Sequence, residues 1–320
     1  KIILLIVLIP CFCFSQREDS LTIGSICFSG LVKTKEWYLL RELRYKEGDK
    51  ISFSDLEGII LLMNSDLRKT NLLTKIEITP LLDYNDKNEI HFQIYLQENW
   101  YVFPSLIAEI ADRNFNVWWN EYNHALSRIN LGLAIQHINL TGCNDEVALS
   151  YHFGYTKRAV AKYYRPAFNS KSRFGIGGAL YYTEYKETPV TTVGNKQVFF
   201  KEGDKLLYTR REISLGFKYK RSNLWTFDIQ FNHHRNSLDG ELAEKFPDFF
   251  LNAETRQIYT QLSFSAQYFD LDHILKPTRG ILAKWTITQT GIPVAEKYAY
   301  NSLFQTIKAC HTMGRHLFLE

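Results

Sequence analysis

The sequence predicts a mainly β protein: a transmembrane antiparallel β-barrel preceded by one small α+β domain. From Trp100 onward apolar and polar residues alternate, and several of these runs reach ten or more residues, the span that a tilted membrane strand needs. Aromatic residues make up 15% of the chain, yet the mean hydropathy of -0.23 is that of a soluble protein. Strands that are apolar on one face only combine both properties. Together with an export signal at the start of the chain, these properties are typical of an outer-membrane β-barrel.

The first fifteen residues are typical of a signal peptide. Lys1 is followed by IILLIVLIP, an apolar segment too short to span a bilayer as a helix. Cys13-Phe14-Ser15 has the small-x-small pattern of a cleavage site, so we expect residues 1–15 to be removed on export. The alternatives are a buried N-terminal strand and lipidation at Cys11. No later apolar run has helix-spanning length, which argues against the inner membrane.

Composition excludes several classes of function. The net charge of +4 is mild and its cations are interspersed with acids, so no basic stripe predicts nucleic-acid binding. After the signal peptide only Cys27, Cys143 and Cys310 remain, without regular spacing. They predict neither a disulfide framework nor a zinc site, and we expect inert thiols.

Residues 16–98 predict a small domain with the element order β-α-α-β-β. Leu21 to Phe28 alternates as a strand. Thr34 is placed to cap a first helix, which Gly48-Asp49 ends. Ser52 and Asp55 resemble a capping box for a second helix.

That second helix and two strands complete the predicted domain. Its apolar residues recur at spacings of three and four, which indicates an amphipathic helix: Leu56, Ile59, Ile60, Met63 and Leu67. Leu73 to Leu82 and Glu89 to Glu98 follow as strands, joined by a turn at residues 85–88. We expect Leu73 to Leu82 to form an edge of the sheet, with a fully packed strand as the alternative.

Residues 99–320 predict the N-terminal part of the barrel. If the strand from Trp100 leaves the periplasm, long outside connections and short inside turns should alternate. The predicted outside connections are 112–126, 156–158, 188–205, 237–254 and 291–297. The predicted inside turns are 141–144, 169–172, 220–223, 270–279 and 313–316. Two lengths are exceptions: the outside connection at 156 is short, and the inside turn at 270 is long.

This alternation accounts for ten strands, and an eleventh opens at Leu317. We therefore expect about 10–11 strands here and the rest of the barrel beyond Glu320, because open edges are not tolerated in a bilayer. The alternative is a barrel that closes at ten strands.

Three segments resemble a known family. The opening from Ile23 to Leu43, with Gly48-Asp49 after it, resembles a POTRA domain. The segment WYVFPSLIAEIADRNFNVWW, Trp100 to Trp119, and the DxxxxxxPTRG turn, Asp270 to Gly280, resemble the first barrel strand with its loop and a later turn of the bacterial surface antigen superfamily. These are POTRA-plus-barrel proteins of outer-membrane assembly and translocation. The resemblance covers nearly all of the predicted mature chain.

The resemblance implies a 16-stranded barrel in the cell outer membrane, with the POTRA-like domain in the periplasm. It implies insertion or translocation of polypeptides, with the POTRA domain recruiting substrate by strand addition. The expected partners are outer-membrane lipid, unfolded or nascent outer-membrane polypeptides, and periplasmic chaperones or accessory lipoproteins, with no nucleic acid. The alternatives are a porin or transport channel, or a secretion pore for a partner protein. The family-motif residues, expected to be structural, are Asp112, Arg113, Asn114, Phe115, Asp270, Pro277, Thr278, Arg279 and Gly280.

No catalytic, cofactor or metal site is expected. Asp270, Asp272 and His273 cluster in what is predicted to be a solvated turn. His233 and His234 are neighbours on a strand, so they point to opposite faces and cannot chelate one ion together. The glycines at 175, 177 and 178 lie inside a strand with no helix after it, which excludes a phosphate loop. The sequence therefore predicts that the protein is not an enzyme.

Overall fold

A computed structural model of the chain describes residues 20–82, 88–112, 114–222, 224–250, 253–271, 277, 279–292, 296, 299–312 and 318–319. These residues form two compact units. The first contains the residues up to Val32 together with Glu42–Glu98, and the second contains Lys33–Arg41 together with the residues from Asn99 onward. The predicted signal peptide, residues 1–15, lies outside the described residues.

The N-terminal part of the chain contains the predicted β-α-α-β-β order with one addition. Its elements are β1 (Ser20–Ser29), α1 (Glu36–Glu42), β2 (Lys50–Ser52), α2 (Leu56–Arg68), β3 (Leu73–Leu82) and β4 (Glu89–Glu98). The sheet order is β2-β1-β4-β3, with β1 and β4 parallel and the outer pairs antiparallel. Strand β2 was not predicted, because three residues are too few to show a period of two.

The first unit has one apolar core between its sheet and α2. The predicted stripe of α2 is buried at Ile59, Met63 and Leu67. Ile90, Phe92 and Ile94 of β4 are at most 1% exposed, since β4 is a central strand covered by the helix. The predicted capping box is wrong: the Ser52 side chain makes no cap hydrogen bond and instead contacts the hydroxyl of Ser54 at 2.8 Å.

A buried carboxylate joins α2 to the segment after α1. Asp66 accepts two hydrogen bonds from the Arg44 guanidinium, at 2.8 and 2.9 Å, and one from the Arg44 backbone N–H at 3.1 Å. The hydrogen bond to Asp66 raises the pKa of Arg44. Asp66, on the buried face of the helix, is therefore satisfied by both the side chain and the backbone of one residue.

The second unit is built on an eleven-stranded sheet within the described residues. Its order is β17-β16-β15-β14-β13-β12-β9-β8-β7-β6-β5, and every neighbouring pair is antiparallel. The eleven strands confirm the expected count. They are β5 (Val102–Ile110), β6 (Ile129–Ile138), β7 (Glu146–Gly154), β8 (Thr156–Arg165), β9 (Phe174–Tyr185), β12 (Tyr208–Lys220), β13 (Trp225–Leu238), β14 (Arg256–Leu271), β15 (Gly280–Thr290), β16 (Tyr300–Thr312) and β17 (Phe318–Leu319).

The two faces of this sheet differ in polarity, as the alternation predicted. On one face, most of the cross-strand rows of side chains are apolar. One row of this face also contains polar residues, and its members are Leu180, Ile213, His233 and Thr260. Leu215, Phe231 and Leu262, for example, form the next row. The opposite face has hydrogen-bonded polar pairs such as Ser263 with Thr288 and Ser265 with Thr286, both at 2.8 Å. No helix in the described part of the chain is long and apolar enough to cross a bilayer.

The connections alternate between the two ends of the sheet. We call the end where β5 begins the proximal end and the opposite end the distal end. The proximal connections are short. The largest, at 166–173 and 272–279, have eight residues each, and most of the second lies outside the described residues. The distal connections contain added structure: α3 (Phe115–Asn120), the hairpin of β10 (Glu187–Val193) and β11 (Lys196–Lys201), and α4 (Gly240–Lys245). The predicted alternation of long and short connections is confirmed.

Two distal connections fold together around a core of their own. The buried residues of this core are Leu207, Leu238, Leu242, Ala243 and Phe250, with Val190 and Phe200 of the hairpin packed against them. Lys205 holds the same two connections by ion pairs with Asp239 at 3.0 Å and Glu241 at 2.7 Å. We call this part of the molecule the distal cap.

The proximal turn between β6 and β7 binds the segment Lys33–Arg41 within the second unit. The Asn139 amide, which is fully buried, donates to the Thr34 hydroxyl at 2.8 Å, and that hydroxyl is 3.0 Å from the Tyr101 hydroxyl. The Lys35 backbone N–H donates to the Gly142 carbonyl at 2.8 Å. Thr34, expected at the start of the first helix, lies two residues before α1.

Replacing Asp66 with Ala should destabilise the first unit by roughly 2 kcal/mol. The loss is smaller than for a fully buried pair because the Arg44 side chain is 35% exposed. Amide hydrogen exchange of α2 in the full chain measures the change. Asp55→Ala is the matched control, because the Asp55 side chain caps no helix. Equal exchange in the two variants would contradict the assigned role of Asp66.

Candidate functional site

Strand β3 forms a free edge of the four-stranded sheet. In the part of the chain that the structure describes, it pairs only with β4, so the other side of its backbone has no strand partner. This is the edge position expected for Leu73–Leu82. Along it Lys75 and Glu77 form an ion pair at 2.7 Å, and Pro80 lacks an N–H. Charged side chains and proline are features that protect an edge from uncontrolled pairing.

The surface beside this edge is partly apolar. Leu81 is 46% exposed, Leu82 55%, and Tyr95 of the adjacent strand 47%. Tyr95 stands opposite Glu77 in the register, and the Lys75 ammonium lies 5.8 Å from its ring centroid. An extended peptide added to β3 would therefore find backbone hydrogen-bonding groups along the edge and apolar side chains beside it.

Strand β5 is the corresponding edge of the large sheet. Among the described residues it pairs with β6 alone, from Val102 opposite His137 to Ile110 opposite Ile129. Leu106, on its apolar face, is 85% exposed. The two ends of β5 contact different parts of the second unit. The proximal end follows Tyr101, whose carbonyl accepts from the Ile138 N–H at 2.8 Å.

The distal end of β5 leads into an ion cluster centred on Arg128. The Arg128 guanidinium donates to both oxygens of Asp112, with its Nε at 2.9 and 3.0 Å from them. Its Nη1 donates to Glu187 at 2.8 Å and to the Tyr155 hydroxyl at 2.9 Å. These partners come from three distal connections, so one guanidinium joins the ends of β5–β6, β7–β8 and β9–β10.

Aromatic rings enclose this cluster. The Arg128 guanidinium carbon lies 3.6 Å from the Tyr122 ring centroid and 4.5 Å from that of Tyr155. Burial lowers the pKa of Arg128, but its hydrogen bonds to Asp112 and Glu187 outweigh that effect and raise it overall. Burial also raises the pKa of Tyr122, and the charge of Glu187 adds to the increase. A raised pKa keeps Arg128 a cation and Tyr122 a neutral phenol at neutral pH.

The structure gives the other motif residues of the first loop local structural roles. Asn114 caps α3, because its side chain accepts from the Val117 N–H at 2.9 Å. The Phe115 ring stacks on Trp119 with centroids 5.5 Å apart. Arg113 lies outside the described residues. Sequence reasoning singled out Asp112 but missed Arg128 and Glu187, since 59 residues separate those two and no local pattern links them.

The second motif begins β15. Gly280 has φ +116°, and a Cβ at this position would collide with the Asp270 carbonyl oxygen. The motif therefore requires glycine at this position, both for conformation and for space. Asp270 was expected in the turn, but it lies in β14 opposite Ile281, because the strand continues to Leu271. Its carboxylate accepts from the Tyr268 hydroxyl at 3.4 Å.

Two further residues of this motif are among the described residues. Pro277 is half-buried and Arg279 exposed. Thr278, Asp272 and His273 lie outside the described residues. In the register of β15, Trp285 stands opposite Ala266 and Ile287 opposite Phe264, which places both side chains on the apolar face.

The described residues contain no cluster typical of a metal site. No group of three metal-ligating side chains lies close together among them. His233 contacts Thr260 at 3.3 Å and His234 contacts Gln261 at 3.0 Å, on opposite faces of the sheet. Cys143 and Cys310 are buried free thiols, and Cys27 is an exposed one.

Two family models match the chain. The Omp85 superfamily domain matches residues 139–319, which is more than half of the sequence. The chain belongs to the Omp85 superfamily. The surface antigen variable number repeat, the POTRA model, matches residues 21–99. This Omp85 protein is accordingly an outer-membrane protein with a periplasmic POTRA domain. Because the POTRA match ends at residue 99 and β5 begins at Val102, we infer that the proximal end of the sheet faces the periplasm and the distal end faces outward.

Solved structures show the same fold at low sequence identity. BamA from Haemophilus ducreyi lacking POTRA domains 1–3 is 16% identical, with a TM-score of 0.53 over 85% of this chain and 48% of that one. CdiB from Escherichia coli is 11% identical, with a TM-score of 0.50 over 93% of this chain and 52% of that one. The chain thus spans about half the length of these proteins. No curated protein matches it.

Replacing Arg128 with Lys should loosen the outward ends of β5–β9 while the sheet still forms. An ammonium cannot bind two carboxylates and a hydroxyl in the fixed fork geometry of a guanidinium, and we expect a loss of about 2 kcal/mol. Amide exchange of the connections around residues 112, 155 and 187 measures it. Arg256→Lys, an exposed change at another outward strand end, should alter nothing there. Unchanged exchange in Arg128→Lys would contradict the role of the cluster.

Replacing Gly280 with Ala should impair the β14–β15 pairing by at least about 2 kcal/mol, because the new Cβ meets both an unfavourable φ and a carbonyl oxygen. Thermal stability of the folded sheet in detergent, followed by circular dichroism, measures the loss. Gly216→Ala is the control, since its nearest neighbour would lie 4.0 Å away. If both variants melt together, the interpretation of this turn is incorrect.

Proposed function

We propose that this protein inserts or translocates polypeptides at the outer membrane and that its POTRA domain recruits the substrate by strand addition to β3. The observation that carries the proposal is the free edge of β3 in a periplasmic domain. Membership of the Omp85 superfamily and the fold shared with BamA support the general role. The proposed partners are unfolded or nascent outer-membrane polypeptides, with periplasmic chaperones or accessory lipoproteins delivering them. No enzymatic step is proposed.

Strand addition suits a substrate class defined by conformation rather than by sequence. β3 has ten residues, and roughly five of them direct both their N–H and their C=O away from β4, so about ten backbone hydrogen bonds are available. At about 1 kcal/mol net for each bond, their sum is of the same order as the cost of association. Contacts with Leu81, Leu82 and Tyr95 would supply the net affinity. Binding would therefore be weak and reversible, which allows the substrate to be passed on.

A second step would use the edge of β5. An arriving strand could pair with β5 as it pairs with β3, by backbone hydrogen bonds. The cluster at Arg128 and the contacts of Tyr101 hold both ends of β5 in place, which supports its use as a fixed template. This step further assumes the domain division expected from the sequence, with residues 16–98 as the recruiting domain, 99–320 as part of the barrel and 1–15 as the signal peptide.

Photo-crosslinking in the full chain tests recruitment. A photoreactive residue at Thr79, exposed on β3, should crosslink to an unfolded outer-membrane polypeptide. The same residue at Glu57, exposed on α2 of the same domain, is the matched control. We expect at least a fivefold higher yield at Thr79. Equal yields at the two positions, or labelling at Glu57 alone, would exclude β3 as the recruiting edge.

A further inference from the structure

Two periplasmic turns of the sheet lie side by side. The first joins β8 to β9, and the second joins β12 to β13. Because β9 pairs with β12, Phe174 stands opposite Tyr219 and the turns are neighbours. The Lys220 N–H donates to the Arg173 carbonyl at 2.9 Å, and the Arg173 guanidinium donates to the Arg221 carbonyl at 3.3 Å. The two turns therefore present one continuous surface.

This surface is strongly basic. The segments 165–175 and 219–227 contain no Asp or Glu, whereas their cations are Arg165, Lys171, Arg173, Lys220 and Arg221. The whole chain has a net charge of only +4, so positive charge is concentrated here. Asp228 comes directly after the second segment, but its side chain lies on the opposite, polar face of the sheet. There it forms an ion pair with Lys218 at 3.7 Å. The carboxylate of Asp270, on the next strand, accepts a hydrogen bond from Tyr268.

An aromatic belt adjoins the basic surface on the apolar face. Phe174 packs on Tyr219 with ring centroids 4.9 Å apart, and Tyr219 lies 6.4 Å from Phe227. Trp225 continues the belt, 5.9 Å from Phe227 and 5.2 Å from Tyr268. Aromatic girdles of this kind mark the depth of the lipid headgroups in outer-membrane barrels. The cations therefore lie at or just beyond headgroup level.

We propose that this surface binds the phosphate headgroups of anionic phospholipids in the periplasmic leaflet, with the aromatic belt holding the adjoining part of the lipid. Lys171, Arg173 and Arg221 are exposed and supply charge that matches a phosphate diester. The aromatic belt can contact the glycerol and acyl part of a lipid, and a soluble anion has no corresponding part. Charge at the headgroups and rings at the acyl boundary fit a single amphiphilic ligand, which favours a lipid over free phosphate.

Lipid titration of the full chain in neutral detergent tests this proposal, with bound lipid counted by native mass spectrometry. The probes are phosphatidylglycerol, phosphatidylcholine and inorganic phosphate. We expect the protein to bind phosphatidylglycerol at least tenfold more tightly than phosphatidylcholine, with the preference falling as salt is raised. Each cation near the surface is worth roughly fivefold in affinity. The triple variant Lys171→Gln, Arg173→Gln, Arg221→Gln should therefore lose about a hundredfold for phosphatidylglycerol and little for phosphatidylcholine.

The control variant removes three exposed cations from the outward side: Lys196→Gln, Lys245→Gln and Arg256→Gln. It should keep the lipid preference within twofold. If the triple variant does not fold, Lys171→Gln and Arg221→Gln tested singly should each lose roughly fivefold. An unchanged preference in folded variants would overturn the proposal, as would inorganic phosphate that displaces phosphatidylglycerol at equal concentration. The readout contains no polypeptide substrate, so its result is independent of the recruitment proposal.

Discussion

The structure of the large sheet depends on the satisfaction of backbone hydrogen bonds where no water is available. Within a bilayer each N–H and C=O must find a partner in the protein, and a continuous antiparallel ladder provides those partners. The ladder from β5 to β16 also imposes a period of two on the side chains, which is why one face can be apolar while the other is polar. The ladder stops at β5, and at β3 in the smaller sheet. The proposed activity uses these same two edges.

The same constraint explains how much the sequence could predict. Alternation identified the barrel strands because each side chain in a ladder faces either the apolar or the polar side of the sheet. The turns were found because short polar segments, some with Pro or Gly, interrupt that pattern, and Gly280 shows that the glycine in one of them is a steric requirement. The POTRA elements followed from the spacing of apolar residues along α2 and β4.

What the sequence could not predict depends on contacts between distant residues or on very short elements. Arg128 belongs to no local pattern, and only the folded sheet brings it to Glu187. The basic surface is split between two turns separated by about fifty residues, and each turn alone has an ordinary composition. Strand β2 is too short to have a period. Ser52 matched a capping motif, but its hydroxyl contacts Ser54 instead, because a turn of 3₁₀ helix intervenes before α2.

The distal cap couples two connections that are far apart in the sequence. Its core combines residues from the β9–β12 connection, such as Phe200 and Leu207, with residues from the β13–β14 connection, such as Leu242 and Phe250. Neither connection alone can bury these side chains, because the core is made of residues from both. The hydrophobic burial is therefore gained only when the two connections meet. Withdrawal of either connection would expose the shared core to water again, so the formed cap opposes that withdrawal.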